Sequence, residues 1–190
     1  MGEASHDHET VSVYPLSEAQ REELLTKAGE CVVNWATSDN WPIGVMHSFV
    51  WKDGRVWVTF GAHRHRTAAI RRNPRVSIVI TSASIPGQGA GRTLTIKGRG
   101  ILHEDAETKA WFYPALSYKG LTGAAAEAFV ERLNSPLRVI LEVVPEKWIT
   151  FDGQKMGMDT AGVLPDDQRG PMLESDAIRM KRELERRGIA

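Results

Sequence analysis

One cysteine, Cys31, stands alone in the 190 residues. A single thiol excludes an internal disulfide framework and any multi-cysteine zinc site, and it suits a reducing compartment. Net charge is missing as well: 24 basic residues cancel 24 acidic ones. No global positive field is therefore present to attract nucleic acid or an anionic membrane, and basic clusters must act locally. No run approaches the roughly 18 apolar residues of a membrane-spanning helix. The polar start "MGEASHDHET" has no apolar stretch of the signal-peptide kind. The expectation is a cytoplasmic protein with no nucleic-acid or membrane partner, long enough for one domain with peripheral extensions. There is no internal repeat and no low-complexity tract.

What is present is mainly β. Residues 1–15 read as a disordered arm. Then "LSEAQREELLTKAGE" carries a capping box, Ser17 with Gln20, and an apolar face of Leu24, Leu25 and Ala28, which predicts a helix. The strand-like segments are 31–38, 43–51, 55–60, 75–82, 92–102, 137–144 and 146–152, rich in β-branched and aromatic residues and bounded by turns. "SDNWP" and "KDG" each join two strands over a few residues, the signature of antiparallel hairpins. From Glu104 to Asn134 the pattern becomes helical, in two pieces broken near "SYKGLTG". Antiparallel strands with inserted rather than alternating helices predict a closed or split β-barrel over residues 16–156. Residues 157–190 form a loop and helical arm, its charged last helix carrying only a few apolar residues such as Leu173, Ile178 and Leu184.

Several signals fail on context. "GQGAGR" (87–92) has the wrong glycine spacing for a dinucleotide fingerprint and precedes a strand instead of a helix. His6 and His8 sit in the arm, and His63 and His65 have no further ligand close in sequence, so no metal site is expected. Ser48, Ser77 and Ser117 lie in no nucleophile-elbow context.

The richest stretch is "GAHRHRTAAIRRNPRV" (61–76), with five arginines and two histidines after a strand. "TAAIRRN" fits two helical turns, and Asn73 before Pro74 is pushed out of helical geometry, which ends them. Arg64 and Arg66, two apart, meet at the helix N-terminus if the backbone there is extended. An anion placed there gains free N–H groups, the helix dipole, the Thr67 hydroxyl and two guanidinium forks. Arg71, Arg72 and Arg75 fit solvent or a partner chain. A solvated basic surface explains the same pattern.

The order of "SDNWPIGVMHSFVWKDGRVWVTF", "RHR", "RRNPRVSIVI", "TLTIKGRG" and "VVPEKWITFD" resembles the flavin-binding split barrels of the pyridoxamine 5′-phosphate oxidase-like superfamily, over residues 16 to 153. The resemblance implies a homodimeric, FMN-binding split β-barrel acting as an oxidoreductase on a small molecule. It puts the cofactor phosphate on His65 and Arg66, or on Arg64 and Arg66. It puts the flavin ring and ribityl chain along Val45 to Phe49, with Met46, His47 and Ser48 as contacts, and the phosphate-reaching strand end on Thr59 and Phe60. Trp148 would close the pocket from the facing subunit, and His47 is the catalytic candidate. "VWVTF" and "WFYPAL" are the candidate dimer contacts. Val45 and Val50 replace the arginine and lysine that flank the corresponding segment in pyridoxamine phosphate oxidase proper, and its C-terminal substrate motif is missing, so vitamin B6 oxidation is not implied. A deazaflavin coenzyme in place of FMN, and non-enzymatic flavin or haem binding, are the alternatives.

Overall fold

The computed structural model describes residues 10–189; His6 and His8 lie outside them. Its elements run α1 (Glu18–Lys27), β1 (Glu30–Ala36), β2 (Pro42–Ser48), β3 (Val50–Lys52), β4 (Arg55–Gly61), α2 (His65–Arg72), β5 (Arg75–Thr81), β6 (Arg92–His103), α3 (Ala106–Gly120), α4 (Gly123–Leu133), β7 (Arg138–Asp152), α5 (Gly153–Thr160) and α6 (Glu174–Arg187). The seven strands make one sheet in the order β2-β1-β5-β6-β7-β4-β3, antiparallel at every pairing.

The chain itself forces this sheet to curl. Its two edges, β2 and β3, are consecutive in sequence and separated by Phe49 alone. A flat sheet of this width would hold its edges about 29 Å apart at the usual strand spacing, whereas two residues span at most about 7 Å. Only a half-barrel satisfies both. Phe49 is fully buried, and it breaks the single strand expected over 43–51 into two, each with its own direction.

Alternation then sorts the side chains. Val56, Val58 and Phe60 on β4, Val76, Ile78 and Ile80 on β5, and Leu94 and Ile96 on β6 point into one core with Leu24 and Leu25 of α1 and its C-cap Ala28. The capping box of α1 is formed as expected, Gln20 N–H to the Ser17 hydroxyl and Ser17 N–H to the Gln20 side chain. The "KDG" turn is a two-residue hairpin with Asp53 and Gly54 both in the left-handed region. The outer face of the sheet is covered by α3 and α4, whose Phe112, Tyr113, Leu116 and Leu133 pack on Ile140 and Val50. "VWVTF" and "WFYPAL" therefore bury most of their apolar side chains inside their own chain and are not the free surfaces expected of dimer contacts. Exposed apolar side chains lie elsewhere, among them Ile43 and Met46 on the edge strand β2, beside Trp41.

Two further expectations change. The strands expected over 137–144 and 146–152 are one long strand, β7, that passes through Pro145. Pro145 is tolerated because the ladder shifts there: Gly98 pairs with Pro145 while Lys97 pairs with Lys147, so Glu146 is the extra residue of a bulge. Disorder through residue 15 is also corrected for the described part of the arm. Val13 and Tyr14 are buried with Leu164, and the Tyr14 hydroxyl donates to the buried Asp159 carboxylate, which Arg169 also engages. This third cluster draws the segment after β7 back onto the barrel. Helix α6 has no buried residue.

Among the described residues no helix is long and apolar enough to cross a membrane, and no group of three or more potential ligands could hold a metal ion. The "GQGAGR" loop leads into β6, with Gly87 and Gly89 at positive φ, and no helix follows it.

Candidate functional site

The end of β4 and the start of β7 run side by side, with Gly61 opposite Arg138. Past that point the chain reverses: the Ala62 N–H donates to the Leu137 carbonyl at 2.6 Å and the Arg64 N–H to the Gly61 carbonyl at 3.0 Å. Arg64 is the N-cap of α2 in extended backbone, and His65 and Arg66 are its first two helical residues. The two arginines therefore flank the helix N-terminus, though only Arg64 has the extended conformation expected of both. No side chain caps α2; the Thr67 N–H turns back to the Arg64 carbonyl at 2.9 Å, which leaves the N–H groups of His65 and Arg66 for an anion. Thr67 does not join them. It is fully buried, and its hydroxyl donates to the Gly61 carbonyl at 3.1 Å; it holds the turn from within.

Arg66 is held in place before any ligand arrives. Its guanidinium lies 5.3 Å from the centroid of Trp35 and 5.5 Å from that of Phe60, and it donates to Nε2 of His47 at 2.5 Å. Aromatic faces attract the cation without neutralising it. Since Nε2 accepts this bond, His47 must be neutral, with its proton on Nδ1. Burial first, and the Arg66 charge second, push the His47 pKa down to about 4. Burial, then the Arg64 charge, likewise lowers the pKa of Arg66. Both perturbations disfavour positive charge here, and a bound anion would relieve both.

These groups border a cleft with two adjoining lobes. The larger, about 510 Å³, is lined by His47, Thr59, Phe60, Arg64, Arg66 and Arg138 among others. The smaller, about 220 Å³, is reached past His47, Thr59 and Arg138, which line both, and is walled by Ser48, Phe129 and Arg132. No carboxylate lines either lobe. The Thr59 hydroxyl is tied to the Val139 carbonyl at 2.8 Å, bracing β4 against β7.

Of the sequence-derived candidates, His47, Ser48, Thr59, Phe60, Arg64 and Arg66 come together on this cleft. His65 is exposed at the helix start but does not line it. Met46 is on the same strand as His47 one residue earlier, so the pleat turns it to the other face, where it borders a separate hollow with Cys31 and Val32. Trp148 packs edge-on against Trp51 at 6.1 Å, with Arg21 over its ring, and does not line the cleft of its own chain. Arg71 and Arg72 point elsewhere: Arg71 pairs with Glu104 at 2.6 Å and Arg72 donates to the Ala36 carbonyl. Arg132 and Arg138 escaped sequence reasoning. Nothing local marks "RLNSPLRV" as functional, and only the β4–β7 register brings Arg138 beside the basic turn.

A curled antiparallel sheet with a carboxylate-free cleft bordered by arginines at one end defines the class: a split β-barrel. The family model for pyridoxamine 5′-phosphate oxidase matches residues 17–152, and the chain belongs to that family. No curated protein matches it. Among solved structures it is similar to a conserved hypothetical protein of Mycobacterium tuberculosis, at 19% identity and TM-score 0.66 over 77% of this chain and 91% of the other. It is similar to an F420 reductase at 22% identity and TM-score 0.52, over 67% and 94% of the two chains. A FAD-binding protein of Mesorhizobium loti matches at 20% identity and TM-score 0.54, over 71% and 94%. At these identities the likeness establishes the fold.

Proposed function

We propose that the chain is a flavin-dependent oxidoreductase that binds FMN, its phosphate held by Arg64, Arg66 and the N-terminus of α2. The observation that carries this reading is the preset Arg66 guanidinium: aromatic on two sides, bonded to a neutral histidine, and without any carboxylate partner. A terminal phosphate supplies the missing charge and accepts the guanidinium forks. The larger lobe has the volume of an ordinary small-ligand site. Family membership supports the same reading, as does the likeness in fold to an F420 reductase and a FAD-binding protein.

Bound flavin would supply hydride or single-electron transfer. The chain's own contribution is positional. Arg64 and Arg66 anchor the phosphate, the Thr59–Val139 brace holds the cleft wall, and Ser48 and neutral His47 offer polar contacts along it. With a pKa near 4, His47 is a poor proton donor at neutral pH; its place in the mechanism is to orient Arg66 and present an uncharged surface to the ring. In this reading the catalytic candidate of the sequence serves the site by position.

We further propose a homodimer formed through the β2 edge, where Trp41, Ile43 and Met46 are exposed. A flat ring lying on one wall of a half-barrel needs a second wall.

One observation favours the deazaflavin coenzyme as a second reading: the cleft continues beyond Arg66 to Arg138 and Arg132. Arg71 and Arg72, on the far turn of α2, are engaged elsewhere. The test is titration of apoprotein with FMN and with the deazaflavin coenzyme at matched salt, beside mass spectrometry of whatever cofactor the purified protein releases. Tight FMN binding is expected. Binding of the deazaflavin alone would reverse the choice, and binding of neither would refute the flavin reading.

A further inference from the structure

Away from the cleft, several of this chain's arginines are neutralised. Arg55 pairs with Glu142, Arg71 with Glu104, Arg92 with Glu23 and Asp152, Arg99 with Glu146, and Arg169 with Asp159. Arg21, Arg72, Arg75 and Arg182 also lack a carboxylate partner among the described residues but line neither lobe, whereas Arg132 and Arg138 converge on one. Neither guanidinium has a hydrogen bond or ion pair among the described residues, and both border the smaller lobe, whose wall contains no carboxylate. Arg138 is half-buried, which makes an unmatched charge costly there. Close by, the buried Tyr113 hydroxyl feels the Arg138 charge and has no hydrogen-bond partner. Between the two arginines the wall is apolar, made by Leu116, Phe129 and Leu133.

FMN ends in one phosphate. Two guanidinium groups and a helix N-terminus at Arg64 and Arg66 satisfy it; Arg132, which lines only the smaller lobe, is then surplus to the phosphate, and Arg138 stands where the two lobes meet. We propose that Arg132 and Arg138 form a second anion subsite, which receives a carboxylate or phosphate carried on an apolar body lying in the smaller lobe. The inference rests on the flavin reading for the occupant of the first subsite. The anionic group has two possible sources, a substrate or the acidic tail of a deazaflavin, and both present the same chemistry to the arginines.

Benzoate is the probe for the substrate source, since it joins a carboxylate to a small apolar ring, and benzamide is its neutral counterpart. Benzoate should bind FMN-loaded protein and benzamide should not. The variant Arg132→Ala, at the one arginine of the pair that lines the smaller lobe alone, should weaken benzoate binding about tenfold, the loss expected for one charge-assisted hydrogen bond, with FMN affinity changed by less than about threefold, and adding Arg138→Ala should deepen the benzoate loss. For the cofactor source, the deazaflavin coenzyme is compared with the same compound lacking its glutamate tail. A loss confined to the tailed form assigns the subsite to the cofactor, and a loss confined to benzoate assigns it to the substrate. Thermal melts of the variant check that the fold is retained, and Arg138→Lys should recover part of the affinity. Benzoate and tailed-deazaflavin binding that are both unchanged in the variant would overturn the proposal. If wild-type protein binds neither flavin, the flavin reading falls on its own, and benzoate titration of the apoprotein with the same variant still decides the second subsite.

Discussion

Replacing Arg64 and Arg66 together by alanine removes the two charges that flank the N-terminus of α2. Arg66 is half-buried, preset between Trp35 and Phe60 and bonded to His47, so it loses little freedom on binding. Its bond to a phosphate belongs at the upper end of the range for charge-assisted hydrogen bonds, about 2–3 kcal/mol. Arg64 is exposed and must be ordered by the ligand, which places it at the lower end, about 1.5 kcal/mol. Together they contribute about 4 kcal/mol, on the order of a thousandfold in Kd. The matched control is Arg71→Ala with Arg72→Ala, which removes the same net charge from the other end of the same helix. Arg71 is already neutralised by Glu104, and exposed charges more than about 8 Å from a ligand are largely screened at physiological salt. The control should weaken binding by less than about threefold. Quenching of FMN fluorescence on titration with apoprotein measures both, and melting curves confirm that both variants fold. Equal losses in the two pairs would show that the patch acts by general electrostatics and would refute the cradle. An unchanged Kd in the Arg64 and Arg66 variant would place the phosphate elsewhere.

The His47 pKa, lowered from its ordinary 6.5 to about 4, makes the folded state bind fewer protons than the unfolded chain between those values. Its contribution to stability is complete above pH 6.5 and is lost as pH falls through about 4, on the order of 1–2 kcal/mol once solvent screening of this half-buried ring is allowed for. Denaturant unfolding of wild type and His47→Gln across that window should diverge, and superimposable pH profiles would sink the assignment. Gly98→Ala would set a Cβ 2.4 Å from the Val144 carbonyl oxygen at the β6–β7 bulge; a cost of about 2 kcal/mol should lower Tm by roughly 4–8 °C, and an unchanged Tm would mean that the bulge relaxes freely. Cys31 is 1% exposed and its pKa is pushed up to about 12 by burial, so a thiol reagent should modify it only after denaturation; rapid labelling of native protein would contradict the packing of β1. For the dimer, sedimentation should show a dimer that Ile43→Glu with Met46→Glu converts to monomer, whereas a monomeric wild type with flavin bound would defeat it.

The local grammar of this chain was legible from its residues. The capping box of α1, the Asp53–Gly54 turn, the β-branched alternation of β4 and β5, and the helical pair between Glu104 and Asn134 each depend on neighbours a few positions apart, and each formed as expected. The basic turn was legible for the same reason, with Asn73 and Pro74 ending the helix that Arg64 begins.

Pairing over long sequence distances was decided by the tertiary structure. The register of β4 against β7 sets Arg138 opposite Gly61 and so completes the cleft with a residue that no local motif marks. The pleat separates His47 from Met46, and packing turns the Thr67 hydroxyl inward and takes Trp148 to Trp51. The sheet edges meet at Phe49 because one buried side chain and a single linking residue bring β2 to β3. Short-range preference chooses helix, strand or turn, but a side chain's face and its neighbours across the sheet follow from closure of the whole barrel, which only the folded chain resolves.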